Sequence, residues 1–462
     1  MKRKRTGKFL IYVFIGALML VTVLLVGNAL VKSVIQKKIS ATLQQFAPYV
    51  ISDFSAIHVN LIGASVRIDS LVLRYQPVLD KNHSHAAYFQ SVSITGICLL
   101  KFISSKDLSA ANVRLDNALI KLDRFLLDRN DTIPSNAFNN VHLPFNTMFL
   151  NSVELRHVSV LEVKNEKQDT LLNGELSIYN VRIYDIDSSF SKDSIHFSNV
   201  LCELNDIKYQ LADYELLQIK KISINSSDSV LEINSLRIIP QLGKIAFGQK
   251  LGHQADRIEG TVAHIKVSGL NMPQLLQKKF FAQELVISNA QMDVFRDRRL
   301  PREMKVQPTS LDYLKKIPIE VHIHHFKLND ALVESEEFPK EGAQTGSIKM
   351  DHINIDISPL VNHPKKNDPA FLTTIVRGSI MNAGSLHATI RLDLSSGAQY
   401  IKGTIADLKL PALNPCAENL GKFHIQSGVL NKLDFQFTAT NEKASGQIVG
   451  VYHDLVIDRL KL

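Results

Sequence analysis

LVISNAQMDVF, Leu285–Phe295, is the stretch that decides the fold. Apolar and polar residues alternate on both sides of the small pair Ser288-Asn289, and the alternation changes parity across it. The ten-residue core has relatives at VNLIGASVRI from Val59, VRLDNALIKL from Val113, VELRHVSVLE from Val153 and FKLNDALVES from Phe326. Numbering the core one to ten, positions 1, 3, 6 and 8 are apolar almost throughout, and position 10 usually follows. The pattern selects Val59, Leu61, Ala64, Val66 and Ile68, then Val113, Leu115, Ala118, Ile120 and Leu122, then Val153, Leu155, Val158 and Val160. Further along it selects Leu285, Ile287, Ala290, Met292 and Val294, and finally Phe326, Leu328, Ala331 and Val333.

Positions 4 and 5 read Ile-Gly, Asp-Asn, Arg-His, Ser-Asn and Asn-Asp. All but Arg156-His157 contain a residue suited to positive φ, which a two-residue type I′ turn requires. Such a turn sets position 3 opposite 6 and position 1 opposite 8. Cross-strand partners project from one face of a sheet, so the apolar set emerges together despite the parity change. Each repeat is therefore expected to be a β-hairpin with one apolar side. Spacings of 54, 40, 132 and 41 residues between starts make the repetition loose.

Alternation with β-branched enrichment extends through GELSIYNVRIYDI, HFSNVLCELNDIKYQL, VLEINSLRIIP, GTVAHIKVSGL and GSIKMDHINIDISP. Helical candidates are short: a stalk over 32–50, MPQLLQKKFF, TSLDYLKKI and PALNPCAENLG. The expected fold is mainly β, an elongated, curved antiparallel sheet after one amino-terminal helix. An apolar sheet face must be covered, and this chain lacks long amphipathic helices. Either the sheets close on themselves as dry sandwiches, or a curved face holds something else, such as lipid acyl chains.

The basic pI of about 9.1 has a local origin. Residues 1–38 hold eight of the 53 Lys and Arg and no acid, leaving 45 basic against 45 acidic residues beyond. Nucleic acid is therefore not an expected partner. Phe9–Val31 is 23 residues without charge, roughly 34 Å as a helix, enough to span a bilayer. Residues 1–8 form a basic stub that places the amino terminus in the cytoplasm. The run exceeds a signal-peptide core, favouring an uncleaved anchor. Cys98, Cys202 and Cys416 are too few and too scattered for a disulfide framework.

The basic stub, single apolar helix, stalk VIQKKISATLQQF and the following FSAIHVNLIGASVRIDSLVLR resemble the opening of AsmA-like envelope proteins, relatives of TamB and YhdP. GTIADLKLPALNPCAENLGKFHIQSGVLNKLDFQFTATNEKASGQIVGVYHDLVI is similar to their carboxyl-terminal region, and FAQELVISNAQMDVFRDRRLP to Bacteroidota-type members. The resemblance implies a taco-shaped β-groove anchored in the inner membrane, lying in the periplasm, and supporting phospholipid transfer and outer-membrane biogenesis. Implied partners are phospholipid or another acyl lipid, the inner membrane, and outer-membrane or envelope assembly proteins. The expected organisation is an amino-terminal groove region over 51–300, a connection over 301–316 and a carboxyl-terminal β region over 317–462. The tail LVIDRLKL lacks a capping segment, so the natural chain is expected to continue.

Arg296, Arg298, Arg299, Arg302 and Lys305 are candidate headgroup contacts, but Asp297 and Glu303 dilute their charge and a solvated loop is the favoured reading of such a mixed run. VHIHHF sets His322 and His324 on one strand face, and His83 and His85 form a second pair. Neither has a third metal ligand at a recognisable spacing. No nucleophile elbow, zinc helix or phosphate-binding loop is present. The expectation is a non-enzymatic protein without cofactor.

Overall fold

The computed structural model describes residues 50–60, 63–75, 83–98, 101, 105, 107–129, 147–164, 167–184, 195–302, 310–365, 368–440 and 442–460. The stub, the apolar segment, the stalk through residue 49, Leu61 and Lys305 lie outside them. Among the described residues no helix is long and apolar enough to cross a membrane. The chain is mainly β and divides into two units, Met1–Lys208 with Ser223–Ser227, and Tyr209–Ile222 with Asp228–Leu462.

In the first unit, β1 (Val50–Asp53) and β2 (Ala56–Asn60) both lie antiparallel to β3 (Ser65–Tyr75). Antiparallel pairing continues through β4 (His85–Thr95) to β5 (Asp107–Asp123). After the short helix α1 (Arg124–Arg129), β6 (Thr147–Lys164) joins β5 in parallel. Then β7 (Lys167–Ile183) pairs antiparallel with β6, with β8 (Ile195–His196) and with β9 (Asn199–Ala212).

The second unit repeats the scheme. After β10 (Glu215–Asn225), strands β11 (Val230–Pro240), β12 (Arg257–Ser268) and β13 (Lys279–Asp297) are antiparallel, and β14 (Glu320–Phe338) joins β13 in parallel. Antiparallel strands follow: β15 (Gly346–Ile357), β17 (Phe371–Ile380), β18 (Gly384–Asp393), β19 (Gln399–Lys409), β20 (Phe423–Ala439) and β21 (Ala444–Arg459). The two-residue β16 (Leu360–Val361) also lies against β14. Three helices sit at strand ends: α2 (Lys244–Leu251), α3 (Met272–Leu276) and α4 (Ser310–Lys316). MPQLLQKKFF, TSLDYLKKI and PALNPCAENLG each contain the expected helical turns, the last over Leu410–Gly421. In α3 the Asn271 side chain caps the first turn by accepting from the Gln274 amide at 3.1 Å.

Four of the five repeats correct the hairpin expectation. Only the first is a hairpin: Val59 faces Val66 and Asn60 faces Ser65 across residues 61–64, the register the parity argument requires. The others lie within single strands, β5, β6, β13 and β14. In each of those four, position 5 is a left-handed residue in mid-strand: Asn117, His157, Asn289 and Asp330, with φ between 49° and 53°. One such residue inverts the pleat, so apolar positions on either side of it return to the same face. In β5 the buried positions are Val113 and Leu115 before Asn117, then Ala118, Ile120 and Leu122 after it. Asn, Asp and His tolerate this backbone region best among non-glycine residues, so the residue chemistry matched that of a turn. His157, at φ 52°, adopts this region too, so the Arg156-His157 pair, unsuited to positive φ on sequence alone, fits it after all.

The bends are aligned across strands. Left-handed Ser70 in β3 and Asn117 in β5 flank Gln90 of β4, and the registers β3–β4 and β4–β5 run through without offset. The Asn117 side-chain amide donates to Gln90 Oε1. In the second unit the β13–β14 register is likewise constant across Asn289 and Asp330. Asp330 Oδ1 accepts from Nδ1 of His352, itself left-handed, at 2.9 Å.

The repeat spacing is the parallel register itself. Asp107 lies beside Thr147 and Lys279 beside Glu320, offsets of 40 and 41 residues. The recurring object is a strand, a crossover carrying a short helix, and a parallel strand, made once in each unit. Residues 301–316, expected to separate two regions, therefore form part of the crossover from β13 to β14 inside the second unit.

Candidate functional site

The apolar faces of the two units differ in what covers them. In the first, cross-strand partners form the row Ile57–Ile68–Val92–Leu115–Leu155–Leu176–Cys202. The first four members are buried and the last three are half-buried. Val66, Ile68, Val113, Leu115, Ala118, Ile120, Leu122, Val153 and Val160, all expected to face lipid, instead pack against one another in one core. Val59, Ala64, Leu155 and Val158 pack against its rim. A continuous apolar face that bends at a shared line can close on itself, and the fully buried side chains of this core offer no surface to a ligand. Cys202 is half-buried in this row, and burial pushes its thiol pKa up.

In the second unit the rows run on and stay open. One reads Ile233–Ile265–Ile287–Leu328–Ile355–Val376–Ala388–Gly403–Phe435–Ile448, one residue from each of ten strands. A second reads Leu231–Val267–Leu285–Phe326–Ile357–Thr374–Ile390–Ile401–Phe437–Gly446. Neither contains a charge. Of the expected residues, Leu285, Ile287, Ala290, Val294, Phe326, Leu328 and Val333 are half-buried, Met292 is 37% exposed, and Ala331 is buried. Ile348 at 36% and Ile448 at 59% are exposed beside them.

Short helices close only part of this face. Met272 and Leu275 of α3 pack with Val267, Leu270, Ala282 and Ile323. Leu311 and Leu314 of α4 pack with Val361, Leu372 and Leu392. The turn after β19 reaches Gly346 through Leu420. The centre of the face, at Ile287 and Leu328, remains partly open to solvent.

The arginine cluster is committed to ion pairs. Arg296 binds Asp256 with two hydrogen bonds, at 2.7 and 2.6 Å. Arg298 reaches Glu337 at 3.1 Å. Arg299 forks onto Asp297 at 2.8 and 2.7 Å and stacks over the Phe338 ring, 3.7 Å from its centroid. Hydrogen bonding to Arg299 holds the buried Asp297 carboxyl below the usual carboxylate range, against the opposing cost of burial. Arg298 and Arg299 tie the ends of β13 and β14 together, and Arg296 ties β13 to the residue before β12, so each of the three already holds a carboxylate. Arg302 is exposed.

His322 and His324 do share a face, with ring centroids 5.0 Å apart, while His325 turns to Ser358 Oγ at 3.1 Å. His83 stacks on Phe125 and bonds Asp123 Oδ2 at 2.9 Å, and buried His85 accepts from the Asp123 amide at 3.0 Å. No group of three or more His, Cys, Asp or Glu among the described residues could hold a metal. A hollow of about 190 Å³ beside α2 is lined by Lys244, Arg257, Glu259, Asp293, Glu334 and Glu336 with Val294 and Phe295. Its charged walls set it apart from the apolar rows. No protein-family model matches the chain, and no curated protein matches it.

Proposed function

We propose that this is an inner-membrane-anchored, periplasm-facing protein that binds lipid acyl chains along the open apolar face of its second unit. In this reading the sheet curves into a groove and supports phospholipid transfer or outer-membrane biogenesis, with Phe9–Val31 as the anchor. One observation carries it: uncharged rows cross ten strands through nine successive pairings and stay partly uncovered. Apolar surface of that extent favours a hydrophobic partner, since burial is worth about 25 cal/mol per Å². The sealed core of the first unit favours a second, narrower reading for that part, a rigid scaffold rather than a conduit.

The test is to purify the full chain in mild detergent and measure copurifying phospholipid by mass spectrometry. Ile287→Asp should lower the bound lipid several-fold, because an unpaired carboxylate among the acyl tails is strongly unfavourable. Absence of lipid from the wild-type protein, or unchanged lipid in the variant, would overturn the reading.

A further inference from the structure

We propose that β21 is the seat of a second copy of this chain, paired antiparallel with its own counterpart about a twofold axis at Gly450. Among the described residues β21 pairs only with β20, so one edge of a 16-residue strand is free. Long apolar edges are normally blunted by lysine, proline, a bulge or a cover. This one carries no lysine or proline, and its centre is the apolar run Ile448-Val449-Gly450-Val451-Tyr452. Ile448, Val449, Val451 and Tyr452 are 59%, 50%, 60% and 57% exposed. Both faces of the run are thus uncovered along with its edge.

The occupant follows from the order of those five residues. The run reads nearly the same in both directions: large, valine, glycine, valine, large. Antiparallel self-pairing centred on Gly450 sets Val449 opposite the second copy's Val451, and Ile448 opposite its Tyr452. The latter is an aromatic–β-branched pair of the kind that stabilises sheets. Outward from there His453 meets Gln447 and Asp454 meets Gly446, so no like charges oppose each other. Glycine at the axis lets the two backbones approach closely. A foreign strand would have no reason to match this symmetry, whereas an isologous contact requires it. The axis stands normal to the sheet. Ile448 is partnered with Phe435 and Tyr452 with Leu430, so the apolar face would run on into the second copy. The proposal does not rest on what that face binds.

The test uses the full chain in mild detergent. A Cβ at Gly450 would meet only Leu430 and Leu433 methyls, at 3.8 and 3.9 Å, so Gly450→Cys is sterically tolerated. Across the axis the two thiols fall within the Cα separation a disulfide accepts. Two Ser445→Cys thiols would lie about 30 Å apart at roughly 3.3 Å per residue. Mild oxidation should therefore crosslink Gly450→Cys at least about tenfold more than Ser445→Cys or wild type. Val451→Lys, with unchanged circular dichroism, should weaken self-association in sedimentation by about tenfold, as an edge lysine does. A wild-type chain that stays monomeric, equal crosslinking of the two cysteine variants, or protection from exchange in the monomer of those β21 amides that point away from β20 would each overturn it. The last result would mean that another segment or protein occupies the edge.

Discussion

At the residue scale, the left-handed positions in mid-strand bear the most information. A bend residue must adopt φ near +50° without a glycine's freedom, and Asn289 is exposed, so its side chain is chosen for backbone tolerance rather than packing. Asn289→Val should lower stability by about 1–2 kcal/mol in denaturant titration, while Asn289→Gly should stay within about 0.5 kcal/mol of wild type. Asp393 shows a different local device. Its carboxylate accepts from the Ser395 hydroxyl at 2.6 Å and from the Ser395 and Ser396 amides at 2.8 and 3.1 Å. Those bonds, led by the Ser395 hydroxyl, lower its pKa from 3.8 to about 2. A carboxyl depressed on folding contributes stability above its unfolded pKa and loses it as pH falls through the folded one. Unfolding midpoints at about pH 5 and about pH 2.5 should therefore differ more for wild type than for Asp393→Asn.

At the element scale, the sequence disclosed the strands, the one-sided pattern and three short helices, and it misjudged how the parity change is made. A type I′ turn and a left-handed bend ask for the same residues at the same place, and both return the apolar set to one face. Nothing within ten residues separates them. Length does: β13 continues through Ser288-Asn289 for 19 residues because β12 and β14 match it on both sides. The offsets of 40 and 41 between repeats were visible, and a parallel register explains them better than loosely spaced hairpins. Helix α2 escaped notice because Lys244–Leu251 has little amphipathic pattern, and its ends are marked only by Gly243 and Gly252. Sequence alone leaves the arginine cluster between headgroup contact and solvated loop because two of its three carboxylate partners, Asp256 and Glu337, lie about forty residues away.

At the scale of the whole molecule, one sequence pattern has two fates. Apolar rows are sealed in the first unit and left open in the second, although the repeats that make them look alike. The ten-residue pattern alone cannot distinguish these fates, since covering depends on what packs above the face. Substitution can. Leu115→Asp, at a site with no exposure, should cost more than about 4 kcal/mol and unfold the first unit. Leu328→Asp, on the half-open face, should cost within about 2 kcal/mol, leaving circular dichroism intact.

The alignment of bends across neighbouring strands also constrains how such a protein can change over generations. Losing or gaining one residue within β13 would turn its remainder over relative to β12 and β14 together, exposing grease on one side and burying charge on the other. Viable length variants should therefore arise at loops, or as matched events in adjacent strands. A lineage built this way extends itself more readily by adding a whole bent strand at an edge than by elongating the strands it has.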